Sequence, residues 1–325
     1  MSKIKKEKIV ITGGAGLIGS YLAEILVQKN YDVTVIDDFS TGQLKNLINI
    51  KNKVNIIKGN LEDKNFCKNA FNGFDHIYHL ASRAYGIGFS EKNHLNLLIH
   101  NETITNNLLE VFKKLKPKKI LVVSSSCIYD ENGKYNPNEY SLFGGAPEES
   151  NKGYGWAKRF LEQKFNLLAS EIKAKLYIVR PFNIYGERYG WKGKNSQAIP
   201  MLIKKILDKE NPVKIWGSGK QQRSYVHALD CAQLIYMIMN SKFSDVPINI
   251  GGYDAISIED LVNLIIKKLN IKTKLFFDKT KPEGAQLKTS DVDQVSQLFP
   301  DYKYKIDLYE GTKRMAEWYN QTFSS

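Results

Sequence analysis

Lys8–Thr12 is an apolar, β-branched run that breaks into Thr12-Gly13-Gly14-Ala15-Gly16-Leu17-Ile18-Gly19 and then into a stretch with helical spacing. No other feature restricts the fold as tightly. Glycines here permit a tight turn and let backbone N–H groups approach an anion at the start of the following helix. The helix predicted over Leu17–Lys29 gathers Leu17, Ile18, Tyr21, Leu22, Ile25 and Leu26 on one side. A lone glycine pattern is weak evidence, but this one follows a strand and opens a helix.

Further strands are predicted at Val33–Ile36, Val54–Lys58, His76–His79, Ile120–Ser124 and Leu176–Arg180. Helical patterns at Lys64–Phe71, Asn96–Lys114 and Tyr154–Ser170 alternate with them, and Gly133–Lys152 reads as a polar loop. Alternation of this kind predicts an α/β fold, a Rossmann-type doubly wound parallel sheet with right-handed crossovers. After Pro181 the elements shorten: Pro200–Leu207, Ala228–Met239, Ser257–Leu269 and Asp307–Tyr319 read as helical, Val213–Trp216 and Pro247–Ile250 as extended. Ser257 and Asp260 have the spacing of a capping-box variant. The expected division is 1–180 for the sheet domain and 181–325 for a smaller lobe, the two interleaving late in the chain.

The second strand ends at Asp37, placed to bind ribose hydroxyls and to repel a 2′-phosphate, so NAD is expected over NADP. Asp38 shares that position, and the sequence does not rank the two. Gly13, Gly16, Leu17, Ile18 and Gly19 would line the pyrophosphate. Asn60 and Leu61, after the third strand, are placed toward the adenine, and Leu80, Ala81 and Ser82, after the fourth, toward the nicotinamide.

Ile120–Val123 reads as a strand buried on both faces, and it runs into Ser124-Ser125-Ser126-Cys127 and Tyr129. Polar groups at the carboxyl end of a parallel strand lie where open α/β sheets bind ligands. Tyr154 and Lys158, four apart, share one helix face. An ammonium beside a phenol lowers its pKa, which makes Tyr154 a candidate base, with Lys158 and the cofactor close by. Ser125 could bond the same substrate oxygen.

Together the glycine loop, the serine-bearing strand and Tyr-x-x-x-Lys resemble the extended short-chain dehydrogenase/reductases that act on nucleotide sugars. The resemblance covers nearly the whole chain. It implies Tyr154 as the base, Lys158 as its partner and Ser125 as the hydroxyl-binding serine. Ser125-Ser126-Cys127-Ile128-Tyr129 is similar to a segment of the GDP-mannose 3,5-epimerases and GDP-fucose synthases, in which a cysteine at the Cys127 position is an acid/base. Gly86-Ile87-Gly88-Phe89 with Asn93-His94 is similar to the segment lining the epimerase sugar pocket, which implies roles for Gly88, His94 and Ser126. Asn183-Ile184-Tyr185-Gly186, Trp191-Lys192-Gly193 and Lys281-Pro282-Glu283-Gly284 match the same group. The 4,6-dehydratases carry an Asp-Glu pair where this chain has Ser126-Cys127, which speaks against dehydration. The second acid/base of the group, a lysine or histidine shortly before a proline, is replaced by Gln197, whose amide does not titrate.

The resemblance also implies Arg223 on the substrate diphosphate, where a guanidinium forks onto phosphate oxygens. Lys288 would replace a second arginine, Asn183 would contact the first phosphate or the sugar, and Trp216 with Val213 would flank the base. Oxidation of a GDP-sugar of manno configuration, hexose or heptose, at C4 without epimerisation is the expected activity. A GDP-sugar 3,5- or 5-epimerase and a non-catalytic NAD-binding sensor are the alternatives. Family members pair two helices into an intersubunit four-helix bundle, which here implies a homodimer through Asn96–Lys114 and Tyr154–Ser170. Leu97, Leu98, Ile104, Leu108, Leu109, Phe160, Leu161, Phe165 and Leu168 offer the apolar faces.

A formal charge of +13, from 47 Lys+Arg against 34 Asp+Glu, raises nucleic acid as a partner. The lysines are spread along the chain without an aromatic–basic motif, so a solvated surface is expected, and His79 and His227 are expected to be structural. Cys67, Cys127 and Cys231 are odd in number with no metal-like spacing, and no apolar run reaches membrane-spanning length. No metal and a cytoplasmic location are expected.

Overall fold

A computed structural model of the chain describes residues 6–130, 145–190, 198–244, 246–252, 254–281, 283–290 and 293–323. Its centre is a parallel sheet of β1 (Lys8–Thr12), β2 (Asp32–Asp37), β3 (Asn55–Lys58), β4 (His76–His79), β5 (Lys119–Val123), β6 (Lys175–Pro181) and the strand Ile248–Ile250. From one edge the order is Ile248–Ile250, β6, β5, β4, β1, β2, β3. This is the doubly wound order, and its switch point lies between β1 and β4, where the chain turns outward in both directions. The strand Ile248–Ile250 comes from beyond Pro181 yet pairs with β6 in register Ile248↔Val179.

The helices on this half are α1 (Leu17–Gln28), α2 (Lys64–Ala70), α3 (Ile87–Ser90), α4 (His94–Leu115) and α5 (Lys152–Ile172). Both faces of the sheet are covered, which is why its strands read as continuous apolar runs. Ile9, Ile11, Val33 and Val35 pack under α1 and the helix Ala228–Met239. Val10, Ile36, Ile120 and Val122 pack under α4 and α5. A separate core, with Ile203, Ile206, Ile215, Leu261, Val262 and Met315 fully buried, underlies the residues that follow β6. Its sheets are small: Val213–Trp216 pairs with Leu275–Asp278, and Gln222–Ser224 lies between Ala255–Ser257 and Leu287–Lys288. Strands of two or three residues are too short to show a period. The Ser257 hydroxyl caps the helix Ile258–Leu269 by accepting from Asp260 N at 3.0 Å and donating to Asp260 Oδ2 at 2.6 Å.

The apolar faces expected to meet a second subunit largely pack on the sheet. Leu97, Ile104, Leu108, Leu161, Phe165 and Leu168 are all buried, most of them in the core between the sheet and α4/α5. Of the expected residues α5 leaves Phe160 exposed, and beside it α4 and α5 expose Leu95, Ile99 and Leu167, which were not expected. Among the described residues no helix is long and apolar enough to cross a membrane.

Beneath the outer end of β6 lies a fully buried ion pair. Arg180 donates from Nη2 to Glu162 Oε2 at 2.7 Å and from Nε to Oε1 at 3.0 Å, and both side chains are completely covered. Arg180 Nη1 donates to the Tyr129 hydroxyl, which donates to Asn249 Oδ1 at 2.7 Å. One network thus joins α5, β6, the segment after β5 and the strand Ile248–Ile250. Removing one partner of a buried pair strands the other charge. Glu162→Gln is therefore expected to destabilise the fold by about 3–5 kcal/mol, read as a fall in urea midpoint. An unchanged midpoint would show that the pair does not hold these elements together.

Candidate active site

The first functional elements converge at the switch point. Gly13 has φ +69°, and a Cβ there would lie 2.8 Å from Ala81 N, so only glycine lets the loop pass against the end of β4. Gly19 is equally restricted, because its Cβ would meet Gly13 O at 2.3 Å. Gly16 sits at the N-cap of α1 with no side chain to cap it, which opens the first-turn N–H groups of Leu17, Ile18 and Gly19 to an external anion. This cradle, which a Cβ would fill, fits a dinucleotide pyrophosphate.

The two acids after β2 separate physically. Asp37 is buried, and its oxygens accept from Ala15 N at 2.9 Å and Phe39 N at 2.8 Å. Burial raises its pKa and the two amides oppose the rise. Asp38 faces outward and accepts from Ser40 and from Arg83 Nη2 at 2.7 Å. Arg83 also reaches Glu62 at 3.6 Å, and Glu62 bonds His100. This bridge crosses the ends of β2 and β3, where the adenosine was expected, and the sequence reading missed it. Its one signal was position, since Arg83 directly follows Leu80-Ala81-Ser82. Asn60 Oδ1 accepts from Glu62 N, while the Leu61 carbonyl accepts from Asn107. Leu80 and Ala81 dock on Thr12, and Ser82 donates to Asn101 at 2.8 Å.

At the end of β5, Tyr154 lies beside the side chains of Ser125 and Ser82. Burial holds its pKa well above the ordinary phenol value, and the two serines oppose that. Lys158 Nζ lies 5.6 Å from the Tyr154 ring centroid and donates to Val123 O at 2.7 Å. Burial lowers Lys158 to about 8, against the pull of Glu162 one turn further along α5. His79 Nδ1 bonds Thr12 Oγ1 at 2.7 Å inside the fold, and burial with the nearby Lys158 pushes it down to about 3, so it stays neutral. His227 caps the helix Ala228–Met239 and bonds Glu187 at 2.8 Å.

Cys127 opens partly to the cleft, and Ser125 Oγ accepts from its backbone N–H. Ser126 beside it is buried. Lys288 Nζ donates to Cys127 Sγ at 3.3 Å and to Glu148 Oε2 at 2.5 Å. Glu148 was not found from the sequence, because it lies in the stretch read as a loop and no spacing marks it. Lys288, expected at the diphosphate, is 6 % exposed and directed at this pair. Arg223 is also largely covered, donating to the carbonyls of Gln222 and Glu283. Gly284 fits beside it because a Cβ there would approach both Ile87 and Arg223. The exposed ring of Trp216 lies over Gly88, where a Cβ would come within 2.8 Å of it. Asn183 donates to Ser224 O and Lys288 O, and His94 Nδ1 accepts weakly from Gly153 N. Gln197, Trp191-Lys192-Gly193 and Pro282 lie outside the described residues.

Comparison with known proteins gives the arrangement its context. The family described as "NAD dependent epimerase/dehydratase family" matches residues 9–251. The chain is similar to the GDP-L-fucose synthase of Dictyostelium discoideum, 27% identical over 98% of this chain and 97% of that protein. It is 29% identical to a putative UDP-glucose 4-epimerase of Methanocaldococcus jannaschii, over 95% of this chain and 97% of the other. The solved structure of UDP-glucuronic acid 4-epimerase from Bacillus cereus, in complex with UDP-glucuronic acid and NAD, matches with a TM-score of 0.83 at 25% identity. That match covers 97% of this chain and 100% of the other.

The depressed Lys158 predicts a pH signature in the cofactor-free protein. Below about 8 the folded and unfolded chains both carry its proton, and the fold bears the cost of burying the charge. Between about 8 and its ordinary 10.5 the folded chain has released that proton while the unfolded chain keeps it, so stability rises with pH across this window. Lys158→Met removes the effect. The unfolding free energy of wild type minus variant should climb through the window by on the order of 3 kcal/mol. A flat difference would mean that the ammonium is not desolvated.

Proposed function

The chain belongs to the NAD dependent epimerase/dehydratase family, and from that premise we propose that it oxidises a GDP-sugar of manno configuration, hexose or heptose, at C4 and leaves the neighbouring carbons uninverted. The observation that carries this reading is the group around Tyr154, which brings Ser125 and Ser82 beside the phenol and Lys158 Nζ 5.6 Å from its ring centroid. A C4 hydroxyl set against Tyr154 and Ser125 gives its proton to the tyrosine oxygen. Lys158, tethered to Val123 O, supplies the positive charge that makes a phenolate accessible in a buried site. NAD supplies the hydride acceptor when bound, in the cradle of Gly13, Gly16 and the α1 N-terminus. Asp37 and Asp38 put carboxylates at the ribose end and favour NAD over NADP.

On the nucleotide side, Arg223 faces the diphosphate, Trp216 covers the base and Asn183 orients the first phosphate or the sugar. Guanine is favoured by the likeness to GDP-L-fucose synthase across nearly the whole chain. Inversion beside a C4 ketone needs a proton acceptor on one face of the ring and a donor on the other. Gln197 cannot titrate, and Tyr154 is committed to the C4 oxygen. The second reading, a GDP-sugar 3,5- or 5-epimerase, is favoured by one observation, the partly exposed Cys127 at the same pocket.

One experiment separates the two readings. The enzyme is incubated with NAD and GDP-mannose in deuterated water. NADH should form, and C3 and C5 of the sugar should stay free of deuterium by NMR. Tyr154→Phe should slow NADH formation by about 10²–10⁴-fold, the scale for losing a general base. Deuterium entering C3 or C5 at the rate of turnover would replace the dehydrogenase with the epimerase.

The proposed assembly is a homodimer in which α4 and α5 of two subunits form a four-helix bundle, with Leu95, Ile99, Phe160 and Leu167 as its contact residues. Light scattering at micromolar concentration should give twice the chain mass, and Ile99→Glu with Leu167→Glu should reduce it to one. A wild-type particle of single-chain mass would reject the bundle.

A further inference from the structure

Behind Cys127 stands a triangle of groups drawn from three parts of the chain. Lys288 reaches in from the short strand Leu287–Lys288, Glu148 from the segment leading into α5, and Cys127 from the turn after β5. Lys288 Nζ touches both partners, the carboxylate at 2.5 Å and the sulfur at 3.3 Å. Glu148 also accepts from Ser150 Oγ at 3.1 Å. Glu148 and Lys288 are 2 % and 6 % exposed, whereas Cys127 opens partly to the cleft. The pair therefore lies in a layer behind the thiol and acts on substrate through it.

We infer that Glu148 is a positioning residue which takes up the Lys288 ammonium and, by offsetting its charge, keeps Cys127 a neutral thiol, and so withholds a thiolate base from the sugar. This rests on the reading of the site as an oxidising one and gives a reason why Cys127 does not abstract protons there. An ammonium alone beside a cysteine favours the thiolate. Here the ammonium makes its shorter contact to a carboxylate, whose negative charge offsets its pull on the sulfur. The other groups facing Cys127 are Ser125, Tyr154 and Lys158. Tyr154 is uncharged in its resting state, and Lys158 is turned to Val123 O. The electrostatics agree with the geometry. Burial, then Glu148, pushes the Cys127 thiol up, against the pull of Lys288 and Ser125. Burial works against the Glu148 carboxylate, but Lys288 and, more weakly, Arg223 help to outweigh it and keep the carboxyl below its usual range.

The test reads the thiol directly and needs no turnover. Cys67 and Cys231 are fully buried, so iodoacetamide added to the full chain should mark Cys127, located by peptide mapping. The rate is followed against pH and its midpoint is taken, because a change that merely opened the cleft would move the plateau and not the midpoint. Glu148→Gln should lower the midpoint by about one pH unit, roughly a tenfold larger thiolate fraction at a fixed pH below it. Lys288→Met should raise it by a similar amount. Shifts of opposite sign support the inference. Midpoints that move the same way, or that both stay put, overturn it. Should Glu148→Gln not fold, Glu148→Ala is measured in its place, and an unchanged or raised midpoint overturns the inference. Deuterium exchange into the sugar tests the oxidation reading separately, so the two can fail independently.

Discussion

The desolvated charge of Arg180 is the constraint on which the rest of this structure depends. A guanidinium with no solvent access must find a carboxylate in one place and one orientation, or the fold loses several kcal/mol. Glu162 meets it from α5, and Tyr129 and Asn249 complete the shell. Glu162 lies one helical turn beyond Lys158, whose Nζ is fixed to a carbonyl of β5. Two polar tethers thus hold the same helix face to adjacent strands. The rotation of α5, and with it the height of Tyr154 over the end of β5, follows from that arrangement.

The two neighbouring acids after β2 show how residues of one type part company. Asp37 is drawn inward by the amides of Ala15 and Phe39 and braces the glycine loop from below. Asp38, one residue on, turns outward to Arg83 and joins a charged bridge to Glu62. Consecutive residues leaving a strand point to opposite sides, so a pair of acids there serves a structural and a surface role at once.

The sequence was most legible where two independent signals coincided. The glycine loop was flanked by a strand and a helix, and Tyr154 with Lys158 shared a helix face beside a strand that ended in serines. The central strands stood out because burial on both faces leaves runs such as Ile120–Val123 without a polar residue. Glu148 and Arg83 were illegible because each acts through a partner distant in sequence, and neither spacing nor composition marks such a residue. The strands Gln222–Ser224 and Leu287–Lys288 were missed because they are shorter than any period. The apolar residues of α4 and α5 were found but could not be divided between sheet and surface. On a long helix with apolar residues on more than one side, only packing decides which side faces in.

The pairing of Ile248–Ile250 with β6 bears on how the chain emerges from the ribosome. At roughly 5–20 residues per second, β6 precedes its neighbour by about 3–14 s. During that interval the outer edge of β6 offers unpaired N–H and C=O groups, a template for another nascent chain. The Arg180 guanidinium waits with Asn249 still unmade, and the helix Ala228–Met239 has yet to cover its face of the sheet. A protein built this way has a vulnerable period during its own synthesis that a sheet completed strand by strand in chain order would not have.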